Sequence, residues 1–226
     1  IFAPTYQLTM NKNERFVIAI NRELGTGGRI VGQKLAERLQ VPFYDKAVIQ
    51  GLQKKFSLST DEIERLKAKK SNWWTDILQT FVPTFERANI SAYYHPSGKV
   101  PDSMTTEEMY HAETEILKEV AAEGSCIITG RSAFYIFKDH PNHLNILIQA
   151  SQENRIARLM RKKNLCRERA MSIIDEVDKG REQYIHKYTG VSRYDARYYQ
   201  LVINMDNITE DQAVDLILSY INSQSK

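Results

Sequence analysis

The feature that most constrains this chain is a glycine-rich turn between a short apolar run and a helical pattern. The run, Phe16 to Ile20, is too short for a helix and rich in β-branched residues, which predicts a buried strand. Gly25, Gly27 and Gly28 follow at once. Glycines allow successive backbone N–H groups to converge on one anion, and the helix beyond adds the positive end of its dipole. The stretch therefore predicts a phosphate-binding loop.

The rest of the chain alternates short apolar runs with amphipathic helical patterns. Further strands are predicted at about 41–45, 125–129, 144–149 and 201–204. Helices are predicted after the glycines, from Thr105 to Gly124, after Ser151, from about Arg167 to Tyr188 and after Thr209. Such alternation is typical of a parallel sheet covered by helices on both faces.

We therefore expect one α/β domain in three layers, with its core at 14–50 and 105–222. Residues 51–104 read as an inserted helical and loop region, because they are polar and interrupted by turn signals. Its aromatic residues could form core or a homodimer surface. They are Trp73, Trp74, Phe81 and Phe85.

Composition narrows the functional classes. The 226 residues carry a net charge of +3, with 42% hydrophobic and 26% charged residues, so we expect neither nucleic acid nor membrane as a partner. No apolar run approaches the ~20 residues of a membrane span, and the N-terminus has no secretory pattern, which favours a cytoplasmic location. Cys126 and Cys166 match no metal-ligand spacing, so no directly bound metal is expected.

Three polar clusters follow predicted strands: the glycine loop, Asp45-Lys46 and Gly130-Arg131. Ligands of open parallel sheets bind beyond the carboxyl ends of the strands, so these clusters are expected to meet there. A basic cluster between residues 155 and 169 is either a solvated face or part of a lid at about 155–190 that closes over a phosphoryl group. Arg181 shares the helical phase of its helix's apolar stripe, so it should point towards the sheet end.

Four stretches in this order are similar to those of a known family: INRELGTGGRIVGQKLAERLQVPFYDK, GSCIITGRSAFYIF, HLNILIQASQENRIARLM and VDKGREQYIHKYTG. Through them the chain resembles the cytidylate kinase-like family of P-loop proteins over most of Phe16 to Ile221, most weakly at about 51–104. The resemblance implies a P-loop kinase-like fold with a lid, and ATP with Mg²⁺ as cofactors.

The resemblance also implies roles for individual residues. The ATP phosphates would be bound by the loop and first helical turn: Gly25, Thr26, Gly27, Gly28, Arg29 and Ile30. The acceptor would be bound by Asp45, Lys46, Gly130, Arg131 and Asp178, with Mg²⁺ held by the nucleotide near Thr26 and Asp45. The expected catalytic residues are Arg29, Arg131 and Arg181: Arg131 would hold the acceptor phosphate, and Arg29 and Arg181 would neutralise the transferring group.

The loop departs from the family's usual pattern. Aligning the following helix places Gly28 where a Walker lysine belongs, and Arg29 and Ile30 where the next motif residues stand. Thr26 could supply a hydroxyl, and Arg29 or Lys46 a cation, from shifted positions. Cytidylate kinases follow the Gly-Arg pair with Asp, whereas Ser132 stands here, so a cytosine preference is not implied.

Two hypotheses follow. The first is an ATP- and Mg²⁺-dependent kinase of a small molecule, best matched by a nucleoside monophosphate. The second is a nucleotide-binding regulatory protein on the same fold, with little or no catalysis, motivated by the absent lysine and the aromatic-rich insertion.

Overall fold

The computed structural model describes residues 10–45 and 106–224. The strands are β1 (Val17–Arg22), β2 (Phe43–Tyr44), β3 (Cys126–Thr129), β4 (His143–Gln149) and β5 (Leu201–Asn204). The helices are α1 (Gly28–Leu39), α2 (Thr106–Glu123), α3 (Ala133–Ile136), α4 (Gln152–Lys163), α5 (Arg167–Thr189) and α6 (Glu210–Gln224), with a 3₁₀ turn at Ala196–Tyr198. The insertion expected at 51–104, its aromatic residues and the homodimer surface lie outside the described residues and stay predictions.

The strands form a five-stranded parallel sheet in the order β2-β3-β1-β4-β5. β1 is central and pairs in parallel with β3 and with β4, while β4 pairs with β5. The chain leaves β1 towards β2 on one side, and it leaves β3 towards β4 on the other. The carboxyl ends of β1 and β3 are therefore the point where the connections diverge, which is where open α/β sheets bind ligands.

One face of the sheet packs against α1 and α6. Their apolar sides join the inward residues of β1, β3 and β4 in one buried cluster that includes Ile20, Leu35, Ile146 and Ile217. At Gly32, α1 comes so close to the sheet that a Cβ there would lie 2.9 Å from Phe43 Cε2 and from Thr129 Cγ2. This close approach fixes how the start of α1 lies above the strand ends.

The opposite face is covered by α3 and the 3₁₀ turn. Phe134 of α3 stacks on Tyr199 with ring centres 5.2 Å apart. Asn145 of β4 reaches both segments, because its side-chain N–H groups donate to the carbonyls of Phe134 and Tyr198, each at 2.9 Å. Sequence patterns predicted neither segment, since both are a single turn long.

The chain divides into two compact units, Ile1–Phe43 with Gly124–Lys226, and Tyr44–Glu123. The site described below belongs to the first unit. Within the described residues, no helix is long and apolar enough to cross a membrane.

The predicted helix starts after β4 and β5 are confirmed. Thr209 and Gln212 form a reciprocal capping box: the Thr209 N–H donates to Gln212 Oε1 at 2.8 Å, and the Gln212 N–H donates to Thr209 Oγ1 at 3.2 Å. Ser151 Oγ accepts from the Asn154 N–H at the start of α4. These caps satisfy N–H groups that have no partner inside the helix.

Candidate phosphate-binding site

The loop between β1 and α1 runs from Glu23 to Gly27, and two of its glycines have left-handed backbone conformations. Gly25 has φ 90° and Gly27 has φ 84°, a region that other residues adopt only with strain. Both are also closely covered: a Cβ on Gly25 would lie 2.8 Å from the Arg155 carbonyl oxygen, and one on Gly27 would lie 2.8 Å from Arg158 Nη2. Glycine is therefore required at both positions.

The backbone N–H groups of this loop divide into two sets. The outer ones are bonded within the protein: Glu23 donates to the Ile148 carbonyl at 3.1 Å, Leu24 to Asp178 Oδ1 at 3.1 Å and Gly28 to Thr26 Oγ1 at 3.3 Å. In the part of the chain that the structure describes, no acceptor takes the N–H groups of Gly25, Thr26 and Gly27. Three consecutive unbonded N–H groups before a helix N-terminus are suited to bind an anion.

Thr26 shapes this loop. Its hydroxyl donates to the Glu23 carbonyl at 3.0 Å and accepts from the Gly28 N–H, and the residue is only 2% exposed. These two bonds use the hydroxyl hydrogen and one of its two lone pairs, so one lone pair remains. The described residues contain no cluster of three or more His, Cys, Asp or Glu side chains suited to a metal. The Mg²⁺ position near Thr26 and Asp45 stays a prediction.

A buried cluster of charged side chains is hydrogen-bonded to the backbone of the loop. Asp178 of α5 accepts from the Leu24 N–H, pairs with Arg155 and lies 3.2 Å from Arg181 Nη1. Arg155 of α4 also donates through Nε to the Leu24 carbonyl at 2.8 Å and lies 3.4 Å from Glu23 Oε1. The predicted lid at about 155–190 consists of α4 and α5, and a side chain of each helix is thus bonded to the loop. Asp178 accepts a hydrogen bond from the loop backbone, and its expected role in substrate binding stays a prediction.

Arg193 is the buried member of the cluster that sequence analysis did not single out. It is fully buried, its Nη2 donates to the Arg22 carbonyl and to Asn21 Oδ1 (3.1 Å), and its Nη1 lies 3.6 Å from Asp178 Oδ1. Arg181 Nη1 donates to the same Arg22 carbonyl at 3.3 Å. Arg181 therefore points to the sheet end as its helical phase predicted, whereas Arg193 stands in a turn without periodicity to reveal it.

The carboxyl end of β3 lies close to the carboxyl end of β1, where Arg22 is located. Gly130, Arg131 and Ser132 all have positive φ, at 80°, 58° and 56°, so the chain leaves β3 through three successive left-handed residues. This backbone conformation is unfavourable for Arg131 and Ser132, which are not glycine. The Arg22 guanidinium lies against Gly130, where a Cβ would overlap its Nη1. The structure thus brings the glycine loop and the Gly130-Arg131 segment to the two ends of one arginine side chain.

An open cleft lies on the other side of the loop. It has a volume of about 230 Å³, and its lining includes Gly25, Thr26, Arg158, Arg161, Met205 and Ile208. Arg158 forms an ion pair with Glu210 at the start of α6. Burial alone would raise the pKa of the Glu210 carboxyl, but the Arg158 guanidinium and the α6 backbone bring the net pKa below its ordinary value. Glu210 is therefore ionised at neutral pH, beside the anion site.

Other predicted residues lie elsewhere. The Arg29 guanidinium carbon lies 5.8 Å from the centre of the Phe43 ring, on the β2 side. Ile30 is part of the first turn of α1, where its N–H donates to the Gly27 carbonyl at 2.8 Å. Asp45 follows β2 and is buried, and Lys46 lies outside the described residues. Their roles in binding stay predictions.

The comparison with family models decides the classification, because the model described as "Cytidylate kinase-like family" matches residues 17–207. The chain belongs to the cytidylate kinase-like family. The match begins at β1 and ends after β5, so it includes the glycine loop and the ionic cluster, while Ile208 and Glu210 at the cleft lie just beyond it. Membership, together with the parallel sheet flanked by helices, indicates a kinase-like, nucleotide-binding protein.

Individual relatives are distant. A cytidylate kinase of Sulfurisphaera tokodaii is 26% identical over 110 residues, which cover 49% of this chain and 61% of that protein. The chain thus matches about three fifths of that relative's length. Among solved structures, an uncharacterised protein from Eubacterium ventriosum has a TM-score of 0.67 at 22% identity, covering 92% of this chain and 99% of that one. A gluconokinase from Sinorhizobium meliloti has a TM-score of 0.50 at 10% identity, covering 93% and 94%. Both show a shared fold.

Proposed function

We propose that this protein transfers the terminal phosphoryl group of Mg²⁺-bound ATP to a small molecule, best matched by a nucleoside monophosphate, in the cytoplasm. The observation that carries the proposal is the set of three unbonded N–H groups at Gly25, Thr26 and Gly27, placed between the start of α1 and the arginine-lined cleft. Family membership supports the same reaction class.

The donor site follows from the loop and the cleft. The loop N–H groups bind phosphate oxygens, and the dipole of α1 favours their negative charge. The cleft volume, about 230 Å³, is below the ~300–1,000 Å³ of pockets that enclose whole drug-sized ligands, so it suits one part of the donor, such as a base. Met205 and Ile208 offer an apolar surface there, and Arg158 and Arg161 offer guanidinium planes. Bound Mg²⁺-ATP supplies the phosphoryl group, which the protein positions and neutralises.

The acceptor site is assigned to the end of β3. Arg131 is suited to an acceptor phosphate because a guanidinium binds two phosphate oxygens at once. Ser132 Oγ is buried beside it and has no hydrogen-bond partner in the described residues. A hydroxyl can donate or accept, so Ser132 is compatible with several bases.

A coupled assay of ADP formation, with ATP, Mg²⁺ and each common nucleoside monophosphate in turn, tests the proposal. We expect turnover with at least one acceptor and its loss in Arg131→Ala. Protein that binds ATP but turns over no acceptor would contradict it. That result would favour the second hypothesis, a nucleotide-binding regulatory protein, for which the glycine at position 28 is the structural argument.

A further inference from the structure

The place that a side chain at position 28 would occupy is filled by Arg22. A Cβ built on Gly28 would lie 2.7 Å from Arg22 Cβ and 3.2 Å from Arg22 Cγ, closer than carbon atoms in contact normally come. Gly28 itself has no left-handed φ, so its backbone would accept other residues. Glycine is needed at the first position of α1 because the Arg22 stem occupies the space beside it.

The charged end of Arg22 lies at the end of β3. A Cβ on Gly130 would overlap Arg22 Nη1 and would lie 3.3 Å from Arg22 Cζ. The side chain therefore runs from the first residue of α1 to the first residue after β3. Under the proposed function these two points belong to the donor and the acceptor sites, so the Arg22 side chain lies between the sites with its guanidinium at the acceptor end. The residue is 8% exposed.

The backbone of Arg22 is held on both sides of its Cα. Its N–H donates to Asn21 Oδ1 at 2.9 Å, and its carbonyl accepts from Arg181 Nη1 and from the fully buried Arg193. A backbone fixed in this way sets the direction of the Cα–Cβ bond. The direction of the Arg22 side chain is thus built into the site.

We propose that Arg22 takes the place of the Walker lysine: its guanidinium contacts the transferring phosphoryl group, and Gly28 is glycine to make room for it. The inference rests on the proposed function. A Walker lysine reaches the β- and γ-phosphates from the first turn of the helix. Arg22 offers a permanent positive charge from the end of β1, beside Gly130, and its fork suits two phosphate oxygens.

The chemical step is an ordinary phosphoryl transfer. The bond between the γ-phosphorus and the β–γ bridging oxygen breaks, and its electron pair leaves with ADP. A bond forms between the γ-phosphorus and an oxygen of the acceptor phosphate. Arg22 keeps its proton throughout and neutralises charge on the transferring and bridging oxygens.

Moving the charge from position 22 to position 28 tests the inference. The variants are Arg22→Gly, Gly28→Lys and the double variant, with Arg22→Lys as the conservative replacement. Glycine is used at position 22 because alanine would retain the Cβ that collides with position 28. Arg38→Ala is the matched control, since Arg38 is an exposed α1 arginine that pairs with Asp215 at the surface.

We expect Arg22→Gly to lose about 100-fold or more in kcat/KM, as does removal of one group that stabilises charge in a transition state, while Arg38→Ala stays within about twofold. Gly28→Lys alone should be inactive or unstable because of the collision. The double variant should be at least about tenfold more active than either single one, a non-additivity that shows the two positions share one space. Arg22→Lys should retain more activity than Arg22→Gly.

Calorimetric measurement of ATP binding separates this inference from the proposed function. Wild type that turns over an acceptor, together with an Arg22→Gly variant as active as Arg38→Ala, would overturn the inference alone. So would loss of activity in Arg29→Ala without loss in Arg22→Gly. If the wild type binds ATP without turnover, the proposed function fails. The role of Arg22 as phosphate cation then requires that Arg22→Gly bind ATP at least about tenfold more weakly than Arg38→Ala, and equal affinity overturns it.

Discussion

The backbone N–H of Leu24 donates to the carboxylate of Asp178, with the nitrogen 3.1 Å from Oδ1. This bond joins the phosphate loop to the middle of α5. The same carboxylate also pairs with arginines from α4, α5 and the segment after α5, so one acidic side chain determines where the loop backbone and three positive charges lie.

Asp178→Ala should therefore destabilise the protein by about 3–5 kcal/mol, because it leaves buried arginines without their counter-charge. Urea unfolding followed by circular dichroism measures this change. Asp175→Ala is the control on the same helix: Asp175 is exposed, and its replacement should change the free energy of unfolding by no more than about 0.5 kcal/mol. Equal effects of the two replacements would mean that the cluster does not contribute to stability.

Two glycines inside helices, Gly32 of α1 and Gly180 of α5, should respond in opposite directions to alanine. At Gly32 the added Cβ would meet Phe43 and Thr129 at 2.9 Å, so Gly32→Ala should cost about 1–3 kcal/mol through overpacking. At Gly180, within α5, a Cβ would meet nothing within 4 Å. Gly180→Ala should stabilise by about 0.5–1 kcal/mol, since alanine loses less backbone entropy in a helix. Thermal melting of both variants checks the pair, and a rise in Tm for Gly32→Ala would contradict the close approach of α1 to the sheet.

His143 should make the protein less stable in mild acid. Burial lowers the pKa of its imidazole from the ordinary 6.5, with opposing contributions from the His140 carbonyl and Asp139 and a further lowering by His140. Because the folded-state pKa is the lower one, the unfolded chain binds more protons once the pH falls below about 6.5, and the free energy of unfolding decreases. His143→Asn should flatten the dependence of unfolding free energy on pH between about 7 and 5. The exposed His186, replaced in the same way, should leave that slope unchanged.

Glu210→Gln should strengthen ATP binding. The ionised carboxylate of Glu210 lies beside Gly27, where a Cβ would be 3.0 Å from Oε1, and it pairs with Arg158. Removing its charge takes a repulsive group away from the phosphate site and leaves Arg158 available to phosphate. We expect a gain in affinity of about three- to tenfold at low ionic strength, decreasing as salt is added. Asp211→Asn, at an exposed residue paired with Lys34, should change the affinity less, and an equal gain would indicate a general charge effect.

Much of the fold could be predicted from the sequence, because its causes are local. Apolar run length separates strands such as Cys126–Thr129 from helices, and Thr209 with Gln212 marks a helix start by spacing alone. The left-handed glycines of the loop between β1 and α1 also follow from local sequence, whereas phosphate binding by this loop stays a prediction.

The cation that we propose for the site could not be predicted in this way. Arg22 is the last residue of β1, and nothing in its neighbours shows that its stem fills the space beside Gly28. Arg29, adjacent to the glycines in sequence, is the cation that the sequence predicts; its guanidinium lies over Phe43, and its role stays a prediction. Arg193 bonds to residues more than 170 positions away, and a single arginine in a turn carries no periodic signal.

The hydrogen bonds from Arg181 and Arg193 to the Arg22 carbonyl affect the order in which the chain folds during synthesis. On the β3 side, strand pairing of β1 stops at Ile20, and Arg181 and Arg193 bond to the backbone beyond that point. A ribosome synthesises the glycine loop early, but Arg193 follows Arg22 by 171 residues. The loop therefore reaches its final shape only after most of the chain has emerged, and a nascent chain that ends before residue 193 has no completed phosphate site.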